Sequence, residues 1–166
     1  MRSIDPLALV LAAALLAALP AAAQPDAGAD EGALRYRQKV MSAVGADMGA
    51  IGDIMKYGLP FPSSHVVAHA QSIARRADLA LAAFERKVVE GPTDAKPEIW
   101  EQPDLFREKM QAMKSRADEL AAIAGDGAAT PADVGQRVKA LGESCGSCHD
   151  SFRKPKEKSY KRAGGA

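Results

Sequence analysis

Apolar residues recur at steps of three, four or seven in four long stretches of the chain. In the first, Leu34, Met41, Val44, Met48, Ile51 and Met55 follow this step. The second holds Val66, Ala70, Ile73, Ala77, Leu81, Phe84 and Val88, and the third holds Phe106, Met110, Met113, Ala117, Leu120 and Ala124. The fourth holds Val134, Val138, Leu141, Cys145, Cys148 and Phe152. Such one-sided stripes mark amphipathic helices. No stretch sustains the period-two alternation of a half-buried strand. Prolines at 60, 62, 92, 97, 103, 131 and 155 punctuate the pattern and leave proline-free segments at 33–58, 63–90, 104–124 and 132–154. Each is too long for a strand.

The segment ends carry matching chemistry. Ser63 or Ser64 can cap the second helix. Thr130-Pro131-Ala132-Asp133 offers a capping hydroxyl, a first-turn proline and an acid three residues on. Gly58, Gly91 and Gly125 stand near three helix ends, where a left-handed residue is useful. Only the connection 91–103 is long. The prediction is an all-α fold, an antiparallel four-helix bundle over residues 33–154.

The flanks are expected to lie outside this domain. Leu7 to Leu19 is an uninterrupted apolar run, preceded by Arg2 and followed by Pro20 and Ala21-Ala22-Ala23. That pattern reads as a secretory signal peptide over 1–23, cleaved after Ala23. The run is short for a membrane span of about 20 residues. Residues 24–32 are polar and read as a flexible leader, and 155–166 as a basic flexible tail able to steer an acidic redox partner. The mature chain has no other long apolar run, so we expect a soluble protein exported to a bacterial periplasm. With Lys+Arg 22 against Asp+Glu 21 the net charge is +1, which argues against nucleic-acid binding. A hydrophobic fraction of 47% is enough for a core, and 5% aromatics with abundant alanine favours helix over sheet.

The chemistry concentrates at Cys145-Gly146-Ser147-Cys148-His149. C-x-x-C-H reads as a site of covalent haem c attachment. On a helix the two thiols and the imidazole share one face. Two thiols can add to two haem vinyl groups, and the adjacent imidazole can reach the iron. A disulfide, a redox-active dithiol and half a zinc site are the competing readings. A thioredoxin-type dithiol lacks its βαβ context, and zinc would have only His65 and His69 as further ligands. That pair also fits an ordinary helix surface.

Arg37 lies within the first apolar stripe, where a charge needs a partner. A haem propionate would suit its guanidinium, and snorkelling to water is the alternative. Met41, one turn on, offers a thioether as a distal iron ligand, although methionine is also a common core filler. Arg153 shares the face of His149. It can sit beside the imidazole or a propionate, or simply favour the helix dipole. No nucleophile–base pair or carboxylate pair stands out, so no enzyme is expected.

These residues resemble the class II c-type cytochromes, the cytochrome c′ and cytochrome c-556 family. The resemblance rests on Arg37-Gln38-Lys39-Val40-Met41, on Pro97-Glu98-Ile99-Trp100, and on the run from Cys145 to Arg153. It implies a cytochrome c′-like bundle with one covalent haem c held between the helices. Cys145 and Cys148 match the thioether cysteines, and His149 matches the proximal ligand. Arg37 matches the propionate-binding arginine. Arg153 matches a basic residue near the proximal face, and Trp100 a loop aromatic near the haem. At the position of Met41 the family divides. A methionine there ligates iron in c-556 types, whereas cytochromes c′ keep a bulky apolar residue, sometimes methionine, over five-coordinate iron. The run from Arg37 to Gly49 looks more like the c-556 type. The resemblance thus implies an electron carrier with low-spin iron between His149 and Met41. The rival is a high-spin cytochrome c′ that binds nitric oxide or carbon monoxide. The implied partners are a redox protein and, as is common in this group, a second copy of the chain.

Overall fold

The computed structural model describes residues 27–59 and 63–163. The expected signal peptide lies outside them. Four long helices carry the fold: α1 (Ala27–Tyr57), α2 (Ser63–Ala83), α4 (Pro103–Gly125) and α5 (Pro131–Phe152). A short α3 (Glu98–Glu101) lies in the long connection, and a 3-10 turn (Lys156–Lys158) and α6 (Tyr160–Ala163) follow α5. Among the described residues the one β-type pairing is an isolated bridge between Ala95 and Arg153. The all-α bundle expected from the apolar stripes is the observed architecture.

The four helices do not pack equally. α2 packs most extensively on α4, α1 flanks α2, and α5 flanks α4, whereas α1 and α5 touch only sparsely. The close seam is built from alanine: Ala70, Ala74, Ala77 and Ala80 of α2 and Ala117, Ala121 and Ala124 of α4 are all buried. Small side chains at a helix contact shorten the interaxial distance. Each long helix adds one large, fully buried side chain: Ile51, Ile73, Leu120 and Leu141. Burial of each stabilises the fold by roughly 1.5–3 kcal/mol.

Local signals fix several ends. Thr130 and Asp133 form a reciprocal capping box at the start of α5, with Pro131 in the first turn. Gly58 and Gly91 adopt left-handed backbone, at φ 56° and 79°. Gly125, by contrast, is the last residue of α4. Lys96 Nζ donates to the carbonyls of Asp150 and Ser151 at 3.0 and 2.9 Å, closing the C-terminus of α5 with a cation.

Three segments differ from expectation. Residues 27–32 of the expected flexible leader belong to α1. Glu31 pairs with Arg35 one turn on, and Asp30 pairs with Arg86 at 2.5 Å, so the polar first turns are tied down. α2 ends at Ala83 rather than running on to residue 90. Arg37 donates to the carbonyls of Ala83, Arg86 and Val88, and Trp100 Nε1 donates to that of Phe84 at 2.7 Å. Side chains from elsewhere thus occupy carbonyls a longer helix would have used. The basic tail is also not free over its described part: Ser159 is buried, and the segment is hydrogen-bonded to Asp94.

Candidate cofactor site

The sparse contact of α1 with α5 leaves a cavity of about 560 Å³ between them. That is within the roughly 300–1,000 Å³ of ligand and cofactor sites. α1 contributes Arg37, Met41, Val44 and Met48 to its wall, and α4 contributes Phe106, Lys109, Met110 and Met113. α5 contributes Cys145, Cys148, His149 and Phe152, and Arg153 follows at its C-cap. A Cβ built at Gly45 or Gly49, both in the α1 wall, would meet no atom within 4 Å. These glycines widen the cavity rather than relieve a close contact. Further along, the seam closes: a Cβ at Gly142 would touch Met48 Cε at 3.7 Å, and one at Gly135 Met55 Cε at 4.0 Å.

The motif residues stand as the helical spacing predicts, together on the α5 wall. The two thiols are free. Burial pushes the Cys145 thiol above its ordinary pKa, and burial with the neighbouring Cys145 pushes Cys148 up to about 11. A redox-active dithiol needs the opposite, a depressed pKa and a ready thiolate. The imidazole of His149 is exposed at the cavity surface. Protein packed around the ring, then the Arg153 charge, lower its pKa and favour the neutral form, the form that ligates metals. Among the described residues no cluster of three or more His, Cys, Asp and Glu could hold a metal ion. His69 instead bonds Asp47 at 2.8 Å through Nδ1, on an α1–α2 contact that Arg76 shares.

Arg37 is only 3% exposed. Its partners are backbone oxygens: Nε donates to Ala83 and Nη1 to Val88, both at 2.9 Å, and Nη2 donates to Arg86. Its guanidinium also lies over the rings of Phe84 and Trp100, at 5.1 and 5.0 Å from their centroids. A guanidinium has five N–H groups. Three are engaged, which leaves two uncommitted. Trp100 is not in the cavity wall. It lies behind Arg37 and belongs to an aromatic cluster with Phe84, Phe106 and Phe152. Its ring backs Arg37, which borders the cavity. Arg153 does border the cavity, where it pairs with Asp94 at 3.5 Å.

Other wall residues were not singled out from sequence. Met48, Met110 and Met113 lay in the apolar stripes, but nothing there distinguished cavity from core. Lys109 donates to Ser147 Oγ at 2.7 Å, between the motif cysteines. Asp94, Tyr160 and Lys161 come from segments read as loop and tail.

The donor set fits a covalent haem: two thiols and an imidazole on one wall, thioethers and apolar carbons around them, and space left by glycine. Fold and site define a helical-bundle haem protein. A profile described as Cytochrome C′ matches residues 32–153. The chain belongs to this family, the class II cytochromes, whose cofactor is a covalently attached haem c. It is 32% identical to cytochrome c′ of Alcaligenes xylosoxydans xylosoxydans, over 76% of this chain and 96% of that one. It is 33% identical to cytochrome c-556 of Agrobacterium tumefaciens (strain apple 185), over 78% of this chain and all of that one. Among solved structures it is similar to a nitric oxide complex of a leucine-to-alanine variant of cytochrome c prime from Alcaligenes xylosoxidans. That match has a TM-score of 0.67 and 29% identity, and covers 76% of this chain and 97% of that one. The chain is thus a c-type haem protein of the electron-carrying and ligand-binding kind.

Proposed function

We propose that this chain is a periplasmic electron carrier, not an enzyme, with haem held by Cys145, Cys148, His149 and Met41. One observation supports the last assignment: Met41 and His149 come from α1 and α5, the two helices that scarcely touch, and both face the one cavity. In this reading Cys145 and Cys148 form the thioether links and His149 is the proximal ligand. Met41 presents its sulfur from the facing helix. The two uncommitted N–H groups of Arg37 meet a propionate. Haem supplies the one-electron chemistry, and a thioether ligand raises its potential. The protein's part is to hold ligands on two helices at fixed separation and to exclude water with a methionine-rich wall.

A second reading has support of its own. Relatives named cytochrome c′ match as well as those named c-556, and structures of the former hold nitric oxide. In that reading Met41 only lines the distal side, and the open position takes nitric oxide or carbon monoxide. Absorption spectra of the holoprotein, oxidised and reduced, with and without carbon monoxide, separate the two. A low-spin spectrum indifferent to the gas is expected. A high-spin spectrum that shifts with it would overturn Met41 ligation.

A further inference from the structure

The family match ends at residue 153, yet the chain beyond it is folded into the site. Asp94 holds it there. Its Oδ2 accepts from Ser159 Oγ at 2.9 Å, and its Oδ1 accepts from the Tyr160 N–H at 3.0 Å. Its carbonyl accepts from the Lys154 N–H at 2.7 Å. The Asp94 side chain is 11% exposed, so this is a shielded clasp and not a surface contact. It brings Tyr160 and Lys161 into the cavity wall.

Four cations border the cavity: Arg37, Lys109, Arg153 and Lys161. Three are engaged, Arg37 with backbone carbonyls, Lys109 with Ser147 and Arg153 with Asp94. Among the described residues of the wall, Lys161 is the cation whose side chain has no partner. A haem brings two carboxylates to a cavity that is otherwise largely apolar. A carboxylate there needs a charged hydrogen-bond donor or water. We infer that Lys161, placed at the cavity mouth by the Asp94 clasp, binds a carboxylate of the haem. The inference rests on the covalent-haem reading above. It makes Lys161 a cofactor-binding residue and Asp94 a positioning residue.

The test uses purified holoprotein without any redox partner, so that a partner's carboxylates play no part. Covalent attachment is first confirmed by mass. The midpoint potential is then measured at low ionic strength, where an exposed cation is least screened. A cation beside the cofactor favours its reduced form, so Lys161→Gln lowers the potential, Lys161→Glu lowers it further, and Lys161→Arg keeps it. In an Asp94→Ala background, Lys161→Gln has little further effect, and the Asp94→Ala single variant is cut faster by trypsin after Lys158 and Lys161. Haem-loaded variants with unchanged potential would overturn the role of Lys161 alone. A full Lys161→Gln shift without Asp94 would overturn the clasp. A chain that carries no covalent haem sinks the haem reading and this one with it.

Discussion

The α2–α4 seam and the α1–α5 seam share the same apolar periodicity, yet one is closed and the other open. Alanine closes the first: seven buried alanines let two helices approach without a gap. The second is lined by Met41 and Met48 beside Gly45 and Gly49 on one side and by Cys145, Cys148 and His149 on the other. Methionine is unbranched and adaptable, and suits a surface that must accept a foreign body. The comparison teaches that a stripe's spacing sets which face turns inward, whereas side-chain size sets whether the inward face meets protein or leaves room.

The sharpest way to break the comparison is chemical. Replacing both Cys145 and Cys148 with alanine removes covalent haem completely, so the mass is that of the polypeptide alone. Full haem retention through denaturation would show that the open seam attaches haem by other means. Next comes the closed core: Leu120→Ala costs about 2–5 kcal/mol in denaturant unfolding. Arg37→Leu costs about 3 kcal/mol, because three carbonyls lose charged hydrogen bonds of roughly 1.5–3 kcal/mol each and water restores part of the loss. The same variant keeps its haem but changes the potential, and an unchanged potential would remove the propionate from its role. A size contrast then sharpens the comparison: Ala77→Leu in the closed seam costs about 1–3 kcal/mol, whereas Met48→Leu in the open one costs less than ~1.5 kcal/mol. Equal costs would mean the seams do not differ in packing. The smallest effect is at the α5 cap, where Thr130→Ala loses about 1 kcal/mol of stability and leaves the spectrum unchanged.

The helices were legible because proline spacing and stripe period are local signals, and the motif was legible because its spacing places three side chains on one helix face. What escaped depended on partners far along the chain. Nothing near Ala83 stops α2 there; Arg37, 46 residues away, takes its carbonyl. The polar stretch at 27–32 looks disordered by composition, but Asp30 meets Arg86 across the fold. Asp94 is one acid in a loop rich in proline, and its grip on Ser159 spans 65 residues. The resemblance set Trp100 near the haem region, and its stacking on Arg37, which borders the cavity, is a contact that sequence spacing does not show.

The Arg37 contacts have a dynamic consequence. Residues 84–90 lack a helix of their own, so their amides would ordinarily exchange with solvent as fast as those of a surface loop. With Phe84, Arg86 and Val88 anchored through their carbonyls to Trp100 and Arg37, the segment cannot open without α1 releasing it. α1, this irregular stretch and the start of α3 therefore form one cooperative opening unit. Within it, the hydrogen-bonded amides of Phe84 and Glu85 will exchange as slowly as buried α1 amides, although the chain there is no longer helical.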